Sequence, residues 1–144
     1  MQGDQHRQHI SGQFNAELDA MKNHLLEMGG QVEQQLDLAL ESLGRRDSGQ
    51  AAAVIAADRE INEMQLQIDE ECSRILALRQ PAASDLRLVL AVAKSTTDLE
   101  RIGDEATKIA RQAIKLSELR PTAGNATETR QIGRHVGTML RDAL

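Results

Sequence analysis

Aromatic residues are nearly absent from this sequence: Phe14 is the single aromatic side chain among 144 residues, and there are two prolines. β-Sheets favour aromatic and β-branched side chains, so this scarcity argues against a sheet. Hydrophobic residues still make up 40% of the chain. The core must therefore be built from Leu, Ile, Val, Met and Ala, several of which are strong helix formers. The composition predicts an all-α fold.

Other absences narrow the function classes. The net charge is −5, the basic residues are spread along the chain, and no aromatics are available to stack bases, which argues against a nucleic-acid partner. The single cysteine, Cys72, cannot form an internal disulfide and fits a reducing cytoplasm. The first residues, MQGDQHRQHISGQF, lack an apolar signal core. No apolar run approaches the ~18 residues that a membrane span needs.

Apolar residues recur with a mean step near 3.6 along three long segments, which is typical of amphipathic helices. We predict helices at residues 10–45, about 48–79 and about 84–120. Asp47 or Ser48 can cap the second helix, and Pro81 ends it. Ser84 can cap the third helix. Three long amphipathic helices joined by short turns predict an antiparallel, up-down-up three-helix bundle.

A weak internal repeat suggests that a second bundle begins near the end of the sequence. Residues 28–40 (MGGQVEQQLDLAL) match residues 132–144 (IGRHVGTMLRDAL) at a constant offset of 104, since 133 − 29 = 104 for the paired glycines. A chance match is the alternative, because apolar matches at helical spacing are common. The predicted organisation is a flexible N-terminus (1–9), a bundle (10–120), a linker (121–126) and the first helix of a truncated second repeat (127–144). We expect residues 122–144 to be mobile or to pair with another copy.

Two carboxylates stand out in the stretch DLERIGDEATKIA, residues 98–110. Glu100 and Asp104 lie four residues apart, so their side chains are neighbours on a helix and can converge on one cation. A helical wheel places both on the outer face of the bundle. The alternative is a solvated surface balanced by nearby basic residues, and the spacing alone favours this alternative.

A second polar pair, Asp58 and Asn62, lies on one flank of the second helix. The pattern alone favours hydrogen bonding along the bundle over ligand binding. Cys72 falls on the apolar stripe, which favours a buried, inert thiol over a nucleophile. No Ser–His–Asp or Cys–His set and no Gly-rich phosphate loop can be assembled, so we expect no enzymatic activity.

Several of these segments resemble the PhoU family of bacterial phosphate regulators. The matching stretches are HISGQFNAEL (9–18), MGGQVEQQL (28–36), IDEEC (68–72), RQPAASDLRLV (79–89) and LERIGDEATKIA (99–110). The combination of QPAASDLR with LERIGD is specific. The resemblance implies two tandem three-helix bundles, of which this chain holds the first one whole.

The function that the resemblance implies is regulatory and not catalytic. PhoU-like proteins couple the phosphate ABC transporter, through its ATPase subunit PstB, to the sensor histidine kinase PhoR. They restrain phosphate uptake and silence the phosphate-starvation response when phosphate is plentiful. They act at the inner face of the cytoplasmic membrane without spanning it, and they often form homodimers.

The resemblance also assigns roles to particular residues. Glu100 and Asp104 correspond to the family's metal motif, which binds a divalent or iron-type ion. Its second acidic motif aligns with Asp58 and Asn62, and some relatives have Asp at the latter position. Asn offers a carbonyl oxygen but no charge, so a single, weakly held ion is expected instead of a multinuclear cluster.

The family's partner-binding surface maps onto Asp85, Arg87 and Arg101. The local alternative for Asp85 is a favourable interaction with the helix dipole in the first turn, and Arg87 could pair with it or with a neighbouring helix. A competing function is a metal-binding helical bundle whose primary role is metal-dependent association with a membrane or partner. A purely structural coiled-coil oligomer is a third possibility, which the breaks between helices disfavour. No concentrated basic pocket is visible, so phosphate sensing is expected to lie in the transporter.

Overall fold

Four α-helices make up the fold in a computed structural model that describes residues 1–119 and 126–143. The helices are α1 (Gln2–Arg45), α2 (Ser48–Arg79), α3 (Ala83–Ser117) and α4 (Ala126–Ala143). Within the described ranges there is no strand, and the prediction of an all-α fold is confirmed. None of the helices in those ranges is long and apolar enough to cross a lipid bilayer.

Helix boundaries follow local signals, with two exceptions. Asp47 caps α2, because its side chain accepts a hydrogen bond from the backbone N–H of Gln50 at 3.0 Å. The predicted cap at Ser84 is wrong, since α3 begins at Ala83 without a side-chain cap. The N-terminal segment predicted to be flexible, residues 1–9, is helical from Gln2 onward, and its side chains are exposed. Most of the predicted linker, residues 121–125, lies outside the described residues.

Helices α1, α2 and α3 each pack against the other two and form the predicted three-helix bundle. One half of its core is built from larger side chains and the other half is rich in alanine. The first half contains Leu18, Met21, Met28, Val32, Ile61, Ile68, Cys72, Ile75, Val89, Val92 and Leu99. The second contains Leu36, Ala39, Ala51, Val54, Ala106, Ala110 and Ala113. Small side chains let the helices approach closely where no aromatic residue is available to fill the space.

Helix α4 packs against α1 of the same chain. This differs from our expectation that the segment is mobile or pairs with another copy. Arg141 pairs with Glu33, and its guanidinium also lies 3.9 Å from a carboxylate oxygen of Asp37. Leu140 packs onto the bundle core, which shields part of the apolar stripe of α4 from water.

The contacts between α1 and α4 follow the internal repeat. A β-carbon on Gly137 would lie 3.0 Å from Asp37 Oδ1, and Arg141 pairs with Glu33. By the repeat offset of 104, Glu33 corresponds to Gly137 (33 + 104 = 137) and Asp37 corresponds to Arg141 (37 + 104 = 141). The contact between Asp37 and Gly137 is therefore equivalent to the contact between Arg141 and Glu33. The two helices therefore meet through equivalent positions, as the two halves of an isologous interface do.

Candidate functional site: an acidic seam between α2 and α3

Three carboxylates meet where α2 packs against α3. Asp58 comes from α2, and Glu100 and Asp104 come from α3; all three are half-buried. Asp104 raises the pKa of both other carboxyls through its charge, and Asp58 raises that of Glu100, so the three lie within electrostatic reach of one another. We call this group the acidic seam.

The predicted outer-face position of Glu100 and Asp104 is wrong. A wheel centred on large apolar residues such as Ile102 and Ile109 misplaces the buried face, because both of these are only half-buried. The face of α3 that packs most deeply includes Val89, Thr96, Gly103, Thr107 and Ala110. At ~100° per residue, the observed buried face is rotated by roughly 50° from the predicted one. This rotation places Glu100 and Asp104 at the edge of the core.

Small and hydroxyl side chains explain this rotation of α3. Thr96 and Thr107 donate their hydroxyls to the carbonyls of Val92 and Gly103, at 2.6 and 3.2 Å. With its hydroxyl satisfied inside the helix, a threonine can be buried at little cost. Gly103 offers no side chain, so α2 comes close to the backbone there. A pattern based on hydrophobicity alone does not detect these contacts.

Asp58 occupies an unfavourable position for a charged group. Its Oδ1 is buried and has no hydrogen-bond partner. Burial raises the pKa of this carboxyl, and the nearby charge of Asp104 raises it further. Thr107, Arg111 and Asn62 offset only part of the shift. The ionised form is therefore destabilised, as expected for a carboxylate with one oxygen buried away from water and from any hydrogen-bond donor.

Glu100 is disfavoured for related reasons. Burial is the largest cause of its raised pKa, followed by a side-chain hydrogen bond to Asp104 and by the charges of Asp104 and Asp58. The positive charge of Arg101 offsets only part of this rise in the pKa of Glu100. The acidic seam therefore concentrates negative charge that favours either a shared proton or a bound cation.

The donors of the acidic seam fit a hard, oxygen-preferring cation. The orphaned Oδ1 of Asp58 is a free oxygen donor, and Glu100 and Asp104 supply two more carboxylates. Asn62 is exposed and lies beside Asp58. However, no group of three or more His, Cys, Asp or Glu side chains has metal-binding geometry in the ranges 1–119 and 126–143. The fit is therefore to one weakly held ion on Glu100 and Asp104.

The predicted partner-binding residues do not form one cluster. Asp85 is half-buried in the first turn of α3, while Arg87 and Arg101 are exposed. Asp85 and Arg87 form no ion pair with each other or with a neighbouring helix, as far as the described residues go. Arg101 flanks the acidic seam, whereas Arg87 lies 14 residues earlier, about 20 Å along the helix.

Sequence reasoning missed a polar cluster between α1 and α2. His24 Nδ1 lies 2.6 Å from Glu71 Oε1, and Arg79 makes two hydrogen bonds to Glu17 at 3.1 and 2.8 Å. The partners are 47 and 62 residues apart in sequence. No local pattern links residues at such separations. Polar pairs of this kind become visible only when the register of the two helices is known.

Cys72 is buried, in agreement with its place on the apolar stripe. Burial, together with the charges of Asp69 and Glu71, raises the pKa of its thiol to about 11. Because the thiolate is the reactive form, this cysteine is poorly suited to nucleophilic chemistry at neutral pH.

Comparison with known proteins identifies relatives for nearly the whole chain. The PhoU domain matches residues 25–113. The chain is 57% identical over 136 residues to a phosphate-specific transport system accessory protein PhoU homolog of Pseudomonas putida, covering 94% of this chain and 53% of that protein. Against the PhoU accessory protein of Escherichia coli it is 48% identical over 137 residues, covering 94% and 56%. The chain thus spans about half the length of the curated relatives it matches.

Solved structures agree with this result. The crystal structure of PhoU from Pseudomonas aeruginosa matches with a TM-score of 0.87 and 53% identity, over 90% of this chain and 62% of that one. The phosphate transport system regulatory protein PhoU from Streptococcus pneumoniae matches with a TM-score of 0.80 and 34% identity, over 90% and 60%. At identities of 34–53% over 90% of this chain, the likeness is one of sequence as well as of fold.

Proposed function

The chain belongs to the PhoU family, and on that premise we propose that it is a non-enzymatic negative regulator of phosphate uptake and of the phosphate-starvation response. The observation that carries the proposal is identity of 48–57% with proteins named as accessory proteins of the phosphate-specific transport system. The buried Cys72 thiol, with its raised pKa, adds no nucleophile that would favour an enzyme.

In the proposed mechanism the chain acts as an adaptor. It couples the transporter's ATPase subunit, PstB, to the histidine kinase PhoR at the inner face of the cytoplasmic membrane, which it reaches through these partners. The bundle supplies a rigid scaffold, and Arg87, Arg101 and the acidic seam are the candidate docking groups. We also propose that the homodimer typical of the family is retained.

A gene deletion tests this function. The gene that encodes this chain is removed from its source bacterium, and secreted phosphatase activity is measured in phosphate-rich medium. Constitutively high activity that returns to the low level on complementation supports the proposal. Normal low activity in the deletion strain contradicts it. A nitrogen-starvation reporter serves as the control, because it should not respond to the deletion.

The orphaned oxygen of Asp58 favours a second candidate function, in which a metal ion on Glu100 and Asp104 controls association with a partner or membrane. A bound cation would supply positive charge that offsets the repulsion among the seam carboxylates. Titration with Mn²⁺, Zn²⁺ and Mg²⁺ compares wild type with Glu100→Ala/Asp104→Ala. Saturable binding that this variant loses supports the candidate.

The matched control for that titration is Glu60→Ala/Glu63→Ala, which removes two exposed carboxylates from α2. If Glu100→Ala/Asp104→Ala loses binding and the control variant keeps it, the ion is located at the acidic seam. Equal loss in both variants, or weak binding unaffected by either, contradicts the metal hypothesis.

A further inference from the structure

Five basic residues recur at intervals of seven along α3. The members of this set, which we call the basic ridge, are Arg87, Lys94, Arg101, Lys108 and Lys115. Every one of them is exposed. The chain as a whole is acidic, with a net charge of −5, so a single line holding five cations is a local reversal of the overall charge.

The basic ridge runs along α3, which is one uninterrupted helix from Ala83 to Ser117. Seven residues fall about 20° short of two full turns of an α-helix, so neighbouring members lie close together in rotation, and the line winds by about 80° around α3 between Arg87 and Lys115. At ~1.5 Å per residue the spacing is roughly 10 Å and the whole line is roughly 42 Å long. The opposite face of α3 is buried against α1 and α2, which leaves the ridge facing solvent.

Most cations of the ridge lack a partner in the part of the chain that the structure describes. Lys108 pairs with Glu105 at 2.8 Å, and no other member forms an ion pair there. Several arginines on the other helices do form ion pairs with carboxylates. They are Arg45, Arg59, Arg74, Arg79 and Arg141. The ridge therefore keeps positive charge available for another molecule.

We propose that the basic ridge docks an acidic α-helix of a protein partner that carries carboxylates at every seventh residue. A seven-residue repeat is the spacing along the line of contact between two helices that pack side by side. Leu90, which is 53% exposed, lies between Arg87 and Lys94 and supplies an apolar contact at one end. Such an interface combines charge pairs that set the register with a small apolar area.

The local charges favour a protein helix over a nucleic acid or an anionic membrane. Asp98 and Glu105 are exposed on the flank of the ridge, and Asp104 lies beside it. A densely charged phosphate surface would be repelled by these carboxylates and by the net negative charge of the chain. Carboxylates placed singly at wide intervals can meet the cations and avoid the flanking acids.

A designed peptide tests the proposal before any natural partner is identified and independently of phosphate regulation. The probe is a fluorescent helical peptide of alanine and glutamine with glutamate at every seventh position. A second peptide has the same composition but irregular glutamate spacing. Saturable binding of the first peptide, at least tenfold tighter than the second and weakened by about 0.5 M salt, is expected from charge pairing in register.

Charge reversal locates the binding surface. The variant Lys94→Glu/Lys108→Glu should weaken binding of the regular peptide at least tenfold. The matched control, Lys22→Glu/Arg59→Glu, makes the same charge change on exposed positions of α1 and α2 and should bind nearly as wild type does. Circular dichroism and the unfolding midpoint establish that each variant is folded.

Three outcomes would overturn the proposal. The first is no saturable binding of the regular peptide up to about 1 mM. The second is equal binding of the two peptides or equal losses in the two variants, which would show a response to net charge alone. The third is binding to phosphatidylglycerol vesicles that Lys94→Glu/Lys108→Glu abolishes while neither peptide binds, which would assign the ridge to a membrane.

Discussion

The buried oxygen Oδ1 of Asp58 lies 3.7 Å from the position that a β-carbon would occupy on Gly103. Helices α2 and α3 lie in contact here, and the carboxylate oxygen is held between them without a hydrogen-bond donor. Such an arrangement costs stability, because a buried polar atom without a partner loses its hydration and gains nothing in return. We therefore propose that the acidic seam serves the function of the protein.

The space at Gly103 predicts the effect of adding a methyl group. The nearest atoms to the new β-carbon would be two methyl carbons of Ile61 at 3.5 Å, an ordinary contact distance. Gly103→Ala should therefore raise the free energy of unfolding by about 0.5–1 kcal/mol, because alanine is favoured over glycine inside a helix. Urea denaturation measures the change.

Gly30→Ala is the matched control for this prediction, because no atom other than its chain neighbours and the adjacent backbone of α1 lies within 4 Å of its β-carbon position. It reports helix propensity alone. A smaller gain at position 103 than at position 30 measures the added cost of covering Asp58 with a methyl group. Destabilisation by Gly103→Ala would contradict the observed packing.

The opposite result is expected at Gly133 of α4. A β-carbon there would lie 2.5 Å from Leu40 Cδ1 and 3.0 Å from its Cγ, so the leucine would have to move. Gly133→Ala should weaken the contact between α1 and α4 by about 1–2 kcal/mol. Faster amide exchange in α4, with little change in α2, is the expected signal. The double variant Leu40→Ala/Gly133→Ala should recover part of the loss, and unchanged exchange in the single variant would contradict the α1–α4 packing.

The acidic seam predicts an unusual dependence of stability on pH. The pKa values of Asp58 and Glu100 are raised in the folded state above their ordinary values of 3.8 and 4.5. The folded state therefore binds these protons more tightly than the unfolded state, and the seam's contribution to stability falls as pH rises through this range.

Asp58→Asn and Glu100→Gln should accordingly stabilise the protein at pH 7. After allowance for screening by solvent, each gain is roughly 0.5–1 kcal/mol. The gain should disappear below about pH 3.8, where the wild-type carboxyls are protonated in both states. Thermal unfolding at several pH values measures the effect, and a gain that persists in acid would show that charge is not its cause.

The pair of Glu17 and Arg79 predicts a pH dependence of opposite sign. The hydrogen bonds from Arg79 lower the pKa of Glu17 below 4.5, so the pair stabilises the fold above that pH and loses its effect as pH falls through the folded pKa. Glu17→Gln should lower the unfolding midpoint at pH 7 by no more than about 3 °C, because both side chains are partly exposed. The difference should close in acid. Equal losses at pH 7 and in acid would indicate a packing effect instead.

Much of the fold could be predicted because its signals are local. Helical spacing of apolar residues identified three helices, and Asp47 and Pro81 located the boundaries around α2. The rotation of α3 was missed, since it depends on buried threonines and on Gly103, which hydrophobicity does not reveal. Pairs such as His24 with Glu71 were missed because they depend on the register between helices.

We infer that regulation maintains the acidic seam at a cost to stability. The direct test places Asp58→Asn/Glu100→Gln in the gene at its native locus and measures, on the same variant, the unfolding midpoint at pH 7 and phosphatase secretion in phosphate-rich medium. We expect a protein that is more stable than wild type and normally abundant in the cell, yet fails to silence the phosphate-starvation response. A stabilised variant that silences the response as fully as wild type would contradict it.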